Sequence, residues 1–345
     1  MKPFQYVGPR QGSSPREFIG KNGRYLGGGI DLLGEMKDYI VSPDVLVSVK
    51  NFLGSQIILW AEQPANQPIS PLRQDITRPD ATHPAILLII TPSVKISELA
   101  ENPGIKSYLP GVAEAASEVG SPQIRNVATV AGNLLQHSRC WYYRQPDVVC
   151  QKRGGSICYA QEGENKYSAL FSGSNCVSPI VSNLSVIFEA LEAIVIVEGQ
   201  DNSRGVEYSI SKLYQEAWQN VTAHNSLKPE ELVIEINVPL KRKRSAYRQI
   251  SEKREFDWAL VSCAAAGNVT DGKLTDARVV LGAVAPVPYM VEEANKFLEG
   301  KPLNDETASK AADIILKDAK PLAQNGYKVP LAHTLIRRTL LALNP

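Results

Sequence analysis

The sequence predicts an α+β protein, because strand-like and helix-like segments alternate along the first 240 residues and then follow one another in separate runs. Short apolar runs rich in β-branched residues indicate the strands, and apolar positions at a helical period indicate the helices. The 345 residues are enough for two or three domains. A hydrophobic content of 43% and a charged content of 21% are typical of a globular protein, so we expect a packed core.

The first predicted domain, residues 1–56, is a small α/β unit. A strand leads into a glycine-rich turn, an apolar helix follows the turn, and a β-branched run ends the unit. The predicted bounds are Arg24–Leu26, Leu32–Tyr39 and Val45–Val49.

The second predicted domain, residues 57–239, begins with a proline-rich stretch. Five prolines between Pro64 and Pro84 predict a loop, because proline fixes φ and removes a backbone donor. Alternating strands and helices follow. The strands are predicted at 85–91, 193–197 and 232–238, and the helices at 96–101, 112–119, 184–192 and 210–218.

The third predicted domain, residues 240–345, begins with the basic run Lys241–Arg244, which we interpret as a solvated linker. Strands then precede helices. The strands are predicted at 247–250, 257–266 and 277–284, and the helices at 291–298, 306–318 and 332–343.

Composition excludes several classes of function. The net charge of +1 gives no electrostatic footprint for nucleic acid. The apolar runs are too short to span a membrane. The N-terminus, Met1–Tyr6, has no apolar stretch after its lysine and does not resemble a signal peptide. We therefore expect a cytoplasmic protein, which would be periplasmic only if a partner carrying a signal exported it.

A glycine turn follows the first predicted strand, in the segment Tyr25-Leu26-Gly27-Gly28-Gly29-Ile30-Asp31-Leu32. Glycine permits positive φ and lets backbone N–H groups approach an anion, and a helix that begins after the turn favours a pyrophosphate there. The spacing matches neither the dinucleotide-binding fingerprint nor the P-loop. On its own the segment is therefore equally well explained as a tight structural turn.

A second turn spans residues 126–133, Asn126-Val127-Ala128-Thr129-Val130-Ala131-Gly132-Asn133. The small residues around Gly132 permit close approach of a ligand, and Thr129 and Asn133 offer side-chain hydrogen bonds. The segment is a candidate binding turn for a phosphate or a flavin.

Four cysteines follow the second turn with the spacing C-x9-C-x7-C-x17-C: Cys140, Cys150, Cys158 and Cys176. Four thiolates suit a [4Fe–4S] cluster, although this spacing is not that of the ferredoxins. Zinc is the rival metal, but structural zinc sites usually contain paired C-x2-4-C ligands, and unligated core cysteines are a further alternative. The fifth cysteine, Cys263, lies in an apolar segment and is predicted to be a free, packed thiol.

The sequence contains no recognisable acid–base or nucleophilic motif. Its four histidines show no HExxH spacing, and there is no GxSxG segment. No catalytic residue is therefore predicted. His137, three residues before Cys140, is interpreted as local packing or as a neighbour of the cysteine site.

Taken together, the glycine turn, the second turn and two C-terminal segments, Phe256–Ser262 and Gly282–Pro286, resemble the FAD-binding medium subunit of the molybdenum hydroxylase family. This family includes xanthine dehydrogenase, carbon monoxide dehydrogenase and aldehyde oxidoreductases. The resemblance covers nearly the whole chain. It implies a two-lobed FAD-binding fold of the PCMH type, followed by a C-terminal domain with an antiparallel sheet and helices.

The resemblance also implies which residues contact the FAD. They are Leu26, Gly27, Gly28, Gly29, Ile30, Asp31, Leu32, Lys37, Asn126, Thr129, Gly132, Asn133, Asn183 and Arg248. Two of them depart from the family pattern: the family often has Thr where Ile30 stands and usually has Asp where Asn183 stands.

The cysteine insertion, residues 137–176, resembles a subset of the family that includes 4-hydroxybenzoyl-CoA reductase, in which it ligates an extra [4Fe–4S] cluster. The implied metal ligands are Cys140, Cys150, Cys158 and Cys176. The resemblance further implies a large molybdopterin-binding partner, a small partner with two [2Fe–2S] clusters, and an external electron acceptor.

These implications predict an electron-transfer subunit, in which electrons pass from the partners' centres through FAD to the acceptor. Two alternatives remain open. Electrons could enter from ferredoxin through the extra cluster, as in a 4-hydroxybenzoyl-CoA reductase-like enzyme. The chain could also be a flavin-free scaffold, which the departures at Ile30 and Asn183 permit.

Overall fold

The protein is described from a computed structural model that covers residues 1–10, 13–52, 54–61, 73–75, 85–198, 204–254 and 256–344. Within these ranges, thirteen strands form three separate sheets, and helices pack against the two larger ones. The α+β class predicted from the sequence is confirmed. The domain bounds at 56/57 and 239/240 remain predictions.

The first sheet has three parallel strands in the order β1-β3-β2. They are β1 (Gln5–Val7), β2 (Gly23–Leu26) and β3 (Val45–Ser48), and helix α1 (Leu32–Lys37) connects β2 to β3. In a parallel sheet the carboxyl ends of the strands share one edge, which is where ligands commonly bind. The glycine turn lies at this edge because it directly follows β2.

The second sheet is antiparallel, with strand order β5-β4-β6-β9-β7-β8. Its strands are β4 (Ile57–Ala61), β5 (Arg73–Asp75), β6 (Ala85–Ile90), β7 (Ile194–Glu198), β8 (Arg204–Ser209) and β9 (Leu232–Pro239). Strand β5 lies inside the stretch predicted to be a loop, so that prediction is wrong for residues 73–75. Pairing with β4 supplies backbone hydrogen bonds that composition does not reveal. The rest of the predicted loop lies outside the described residues.

Eight helices accompany this sheet in the described part of the chain. They are α2 (Ile96–Glu101), α3 (Pro103–Tyr108), α4 (Pro110–Ser117), α5 (Pro122–Arg125), α6 (Val130–Leu134), α7 (Trp141–Arg144), α8 (Asn183–Ala190) and α9 (Ile210–Gln219). Proline begins α3, α4 and α5, a position where its missing N–H costs nothing. Every residue of α8 is buried, because this helix packs against the third sheet on one side and against α4, α6 and α9 elsewhere.

The third sheet is antiparallel, with strands in chain order, and carries three helices. Its elements are β10 (Arg244–Ile250), β11 (Val261–Thr270), β12 (Lys273–Gly282), β13 (Tyr289–Met290), α10 (Glu292–Leu298), α11 (Asp305–Leu316) and α12 (Lys328–Leu341). Strand β11 is buried along most of its length between α8 and α12. The thiol of Cys263 lies there, free and fully buried, as predicted.

The prediction of a solvated linker is wrong for Arg242 alone in the basic run: Lys241, Lys243 and Arg244 are exposed, but Arg242 is buried. The Arg242 side chain is only 2% exposed and forms ion pairs with Glu192 at 2.9 Å and Asp276 at 2.7 Å. Arginine next to lysine in a charged run resembles a surface segment. The acidic partners that bury Arg242 lie 50 and 34 positions away in the sequence, where the run itself gives no hint of them.

The cysteine insertion has little regular structure, and the third sheet and its helices hold its second half. Asn325 is fully buried and donates its side-chain amide to the carbonyl oxygens of Ser168 and Ala169. The buried Lys328 ammonium donates to the carbonyl oxygens of Tyr167 and Ala283, both at 3.0 Å. Side chains of the C-terminal part of the chain therefore hold the second half of the insertion through its backbone carbonyl groups.

Candidate cofactor site

A large cavity of about 890 Å³ opens at the carboxyl edge of the first sheet. Four segments supply most of its lining: the glycine turn, the second turn, residues 223–233 and residues 256–258. Its volume is within the range of about 300–1,000 Å³ that is usual for small-molecule and cofactor sites.

The glycine turn lies directly against the second turn. A Cβ at Gly28 would lie 2.4 Å from the carbonyl oxygen of Val127 and 2.9 Å from the Cα of Ala128, and both are backbone atoms. Gly29 has a φ of +76°, a conformation that strains other residues. Glycine is thus required so that the two turns can touch and together form one wall of the large cavity.

The polar side chains of the second turn already have partners within the protein. The Thr129 hydroxyl caps α6 by accepting from the N–H of Gly132 at 3.1 Å. The Asn133 side-chain oxygen accepts from the Ser182 hydroxyl at 2.9 Å and from the Leu184 N–H at 3.2 Å. These side chains shape the turn, so a ligand here would contact mainly backbone.

Eleven of the fourteen residues that the sequence assigns to the cofactor border the large cavity. They are Leu26, Gly27, Gly28, Gly29, Ile30, Asp31, Leu32, Thr129, Gly132, Asn133 and Asn183. The structure does not bring the other three there: Lys37, Asn126 and Arg248 are exposed and lie outside the cavity lining. The next residue on β10 contacts the cavity lining instead: Gln249 accepts from the Asn183 amide at 2.8 Å.

The Gln249 amide connects Asn183 to a carboxylate at the rim of the large cavity. It donates to Glu118 at 3.2 Å, and Glu118 borders the large cavity. Burial raises the pKa of Glu118, an effect that nearby Arg125 reduces. The side of the cavity near Asn183 therefore carries amide groups and one partly desolvated carboxylate.

Asp31 connects the glycine turn to the cysteine insertion. Its carboxylate accepts from the guanidinium groups of Arg139 at 2.6 Å and Arg144 at 2.7 Å, and from the backbone N–H of His137 at 2.7 Å. Arg139 also lies over the ring of Trp258, 4.8 Å from its centroid. The sequence analysis missed both arginines, because nothing in their local sequence shows that they face a residue more than 100 positions away.

A buried hydrogen-bond network lies behind these ion pairs. The Glu35 carboxylate accepts from the Tyr143 hydroxyl at 2.8 Å and from His137 Nδ1 at 2.9 Å. The ring of His137 stacks on that of His224, with centroids 4.0 Å apart. Burial alone would raise the pKa of Glu35, but the hydrogen bond and charge of His137 and the charge of Arg144 outweigh it, and the pKa is lowered.

The four cysteines of the insertion border one small cavity, about 20 Å³ in volume, which we call the cysteine cavity. The Lys152 ammonium also borders it and donates to the carbonyl oxygens of Val221 and Ala223. Burial raises the pKa of Cys140 to about 11, and it lowers the pKa of Lys152. The fold therefore brings four thiols, from positions up to 36 residues apart in the sequence, into one cluster beside the Lys152 ammonium.

The spacing of the ligand atoms bears on which side chains could hold a single metal ion. Within the described ranges, the one set of three ligating side chains with all ligand atoms within 4.8 Å of one another is Asp31, Glu35 and His137. Two arginines already neutralise that set, which does not favour a metal ion there. Thiolates on a single zinc ion lie about 3.8 Å apart, from a Zn–S bond of about 2.3 Å. No three of the four cysteine sulfurs in the described part of the chain all lie within 4.8 Å of one another.

One shared wall separates the two cavities. Arg139 borders the large cavity, and the next residue, Cys140, borders the cysteine cavity. His224 borders the large cavity and hydrogen-bonds to Tyr143, which borders the cysteine cavity, at 3.2 Å. A redox group in either cavity would be close to one in the other.

No helix in the described part of the chain is both long enough and apolar enough to cross a membrane.

Two family models match the chain. Residues 84–241 match the FAD binding domain in molybdopterin dehydrogenase, and residues 245–343 match the CO dehydrogenase flavoprotein C-terminal domain. The chain is 29% identical to the aldehyde oxidoreductase FAD-binding subunit PaoB of Escherichia coli strain K12, over 93% of this chain and 90% of that protein. It is 23% identical to the carbon monoxide dehydrogenase medium chain of Hydrogenophaga pseudoflava, over 98% and 96%.

Solved structures show the same fold. A carbon monoxide dehydrogenase structure from Hydrogenophaga pseudoflava aligns with a TM-score of 0.69 at 21% identity, over 99% of this chain and 97% of that chain. Reconstituted CO dehydrogenase from Oligotropha carboxidovorans aligns with a TM-score of 0.70 at 19% identity, over 99% and 98%.

The two matched domains are those of molybdopterin-dependent flavoprotein subunits. The chain belongs to the FAD-binding medium subunits of the molybdenum hydroxylase family, and the family predicted from the sequence is confirmed. Membership in the subset with an extra cluster stays a prediction.

Proposed function

We propose that this chain binds FAD in the large cavity and a [4Fe–4S] cluster at its four cysteines, and transfers electrons between them as one subunit of a molybdopterin-dependent dehydrogenase. The observation that carries the proposal is the shared wall, because it brings a dinucleotide-sized cavity next to a four-thiol cavity. FAD exchanges electrons singly or in pairs, and the protein supplies binding, orientation and electrostatic tuning.

The large cavity suits FAD in size and in chemistry. Its glycine turn presents backbone N–H groups at the carboxyl edge of a parallel sheet, a place suited to a diphosphate. This cavity argues against the flavin-free scaffold, since a scaffold does not need a ligand-sized space.

The side chains around the cysteine cavity are suitable ligands for an iron–sulfur cluster. The cavity offers four free thiols, and the Lys152 ammonium beside them would favour their thiolate forms. The space between the thiols is small, about the room that one water molecule needs, so a cluster would require the thiols to spread outward.

The proposed partners are a large molybdopterin-binding subunit and a small subunit with two [2Fe–2S] clusters, and an external acceptor would take the electrons. The relatives support this proposal, because one is named as the medium chain of carbon monoxide dehydrogenase and another as the FAD-binding subunit of an aldehyde oxidoreductase. We keep the cytoplasm as the proposed location.

A cysteine substitution tests the ligand assignment. The full chain is isolated anaerobically, and its FAD, iron, zinc and acid-labile sulfide are quantified for wild type, Cys158→Ser and Cys263→Ala. Cys263 is the matched control, since its buried thiol lies outside the cysteine cavity. We expect about four iron atoms per wild-type chain, a large loss of iron with FAD retained in Cys158→Ser, and no change in Cys263→Ala.

Other results would contradict parts of the proposal. An unchanged iron content in Cys158→Ser would remove Cys158 as a required ligand, and zinc in place of iron would identify a structural metal site. Wild-type protein that binds iron but no FAD would contradict the flavin assignment alone.

A further inference from the structure

We propose that His137 is a phosphate-binding residue of the flavin site, which binds in its protonated form and donates a hydrogen bond to an anionic oxygen of the cofactor's diphosphate. This inference rests on the proposed function, since it requires FAD in the large cavity. The sequence analysis gave His137 only local packing or a place beside the cysteines.

The position of His137 is the first step. Its side chain borders the large cavity, and its backbone N–H donates to Asp31, two residues beyond the glycine turn. The imidazole therefore lies at the end of the cavity where the glycine turn would hold a diphosphate.

The hydrogen bonds of the imidazole are the second step. Nδ1 faces both oxygens of the Glu35 carboxylate, at 2.9 and 3.1 Å, so it carries a proton and donates it. The Glu35 side chain is 1% exposed and holds the ring in place from behind. The other nitrogen, Nε2, has no partner among the described residues, and the ring is 30% exposed, into the cavity that it borders.

The stacked neighbour decides which histidine can be charged. The N–H of Ser138 donates to His224 Nδ1 at 3.3 Å, so that nitrogen carries no proton. Its Nε2 must then donate to the Tyr143 hydroxyl, which in turn donates to Glu35. His224 is thus neutral, and burial lowers its pKa, as does the charge of His137. In the stacked pair, both nitrogens of His224 have partners, so the ring nitrogen left to face a ligand is Nε2 of His137.

The charges around His137 complete the argument. The titratable and charged groups that face it, from the glycine turn, α1, the insertion and the loop after α9, are Asp31, Glu35, Arg139, Tyr143, Arg144 and His224. The two carboxylates balance the two guanidinium groups, so the local charge is close to zero while His137 is neutral. Protonation of His137 gives this wall a net positive charge, which complements a diphosphate.

The test measures FAD affinity against pH. Fluorescence titrations of the FAD-depleted full chain between about pH 5.5 and 8.5 cover the range in which histidine changes charge. Because the protonated form binds, wild-type affinity should fall by roughly tenfold or more as pH rises, the effect of losing one charge-assisted hydrogen bond. Calorimetry in two buffers should show close to one proton taken up per FAD at the upper end.

Three variants separate this role from a structural one. His137→Gln should bind FAD at every pH about as weakly as wild type does at high pH, with no proton uptake. His137→Arg, with a permanent charge, should keep the stronger affinity throughout. His333→Gln is the matched control: His333 pairs with Asp313 at 3.2 Å outside the cavity lining, and this variant should behave as wild type.

Four results would overturn the inference. Two concern the variants: a pH dependence that persists in His137→Gln, and an affinity that is reduced equally at all pH values in His137→Arg and His137→Gln. The other two concern the wild type: FAD binding without pH dependence or proton uptake, and no FAD binding at all. Only the last of these also contradicts the proposed function, so the two failures are distinguishable. If His137→Gln does not fold, His137→Arg and the wild-type proton count still decide the question.

Discussion

Gly28 illustrates how one residue determines whether two segments can form a common wall. The sequence predicts that the glycine turn leaves room for a ligand. The structure shows that Gly28 is needed for a different reason, because the second turn lies too close to leave space for a side chain there. Gly29 adds a positive φ, which is a conformational requirement. The tight-turn interpretation therefore describes Gly28 and Gly29, and the binding interpretation stays a prediction.

Gly28→Ala should destabilise the protein by about 1–3 kcal/mol, because the new methyl group must displace backbone atoms that have little freedom to move. We also expect its FAD content to fall, since the two turns would separate. Urea unfolding and FAD extraction measure the two effects.

Gly34→Ala is the matched control for that substitution. Gly34 lies in α1, and a Cβ there would meet nothing closer than 4.0 Å, at the Arg144 guanidinium. Alanine in a helix is expected to stabilise by about 0.5–1 kcal/mol relative to glycine. Equal losses of stability in the two variants would show that the contact between the turns is not the cause.

His137, Arg139 and Glu35 show what single-residue reasoning misses. The sequence assigned roles by comparison with known spacings, and none of these residues stands in such a spacing. Their roles come from partners more than 100 positions away, which only the folded chain brings together. Asn126 and Arg248, in contrast, were predicted from their place in recognisable motifs, yet they lie outside the cavity lining.

At the scale of elements, an ion-pair network connects α8, the second sheet and the third sheet. Glu192, just after α8, pairs with Arg242 at 2.9 Å and Arg278 at 3.1 Å. Burial alone would raise the pKa of Glu192, but hydrogen bonds from Lys241 and Arg242 and the charges of Arg242 and Arg278 outweigh it, and the pKa falls to about 2. The network is thus strongest while Glu192 is ionised.

This pKa predicts an acid-sensitive contribution to stability. Because the folded-state pKa is below the unfolded value of about 4.3, the contribution is fully present above that value and is lost as pH falls toward 2. Glu192 is partly exposed, so we expect Glu192→Gln to cost only about 1 kcal/mol or less at pH 7. The difference from wild type should shrink between about pH 4.5 and 2.5 in urea unfolding of the metal-free chain.

Glu101→Gln provides the comparison for that experiment. Glu101 is exposed and has no ion pair within the described ranges, so its removal should leave the pH dependence unchanged. A difference between wild type and Glu192→Gln that stays constant down to pH 2.5 would mean that the network does not depend on the ionised carboxylate.

Elements with a strong local pattern were predicted well from the sequence. Helix α2 has the predicted bounds, and most other predicted helices and strands begin and end within a few residues of those observed. The failures have physical causes. Strand β5 depends on its pairing with β4, and the short α7 depends on the insertion around it, so neither is visible in a local hydrophobic period.

At the scale of the whole molecule, function depends on the arrangement of two cavities around one wall. The sequence predicted the family, the cofactor turns and the four cysteines, because the signals for each are readable within local stretches of the chain. It did not predict that segments near residues 27, 139, 224 and 257 would meet, since that arrangement follows from the packing of three sheets.

The most direct measurement is the visible absorption spectrum of the full chain, isolated anaerobically and recorded before and after chemical reduction. We predict resolved flavin bands on a broad iron–sulfur absorption, both bleached by reduction, with close to one FAD and about four iron atoms per chain. A colourless protein without FAD or iron, purified under conditions that preserve such centres, would contradict the central claim that the shared wall separates two redox cofactors.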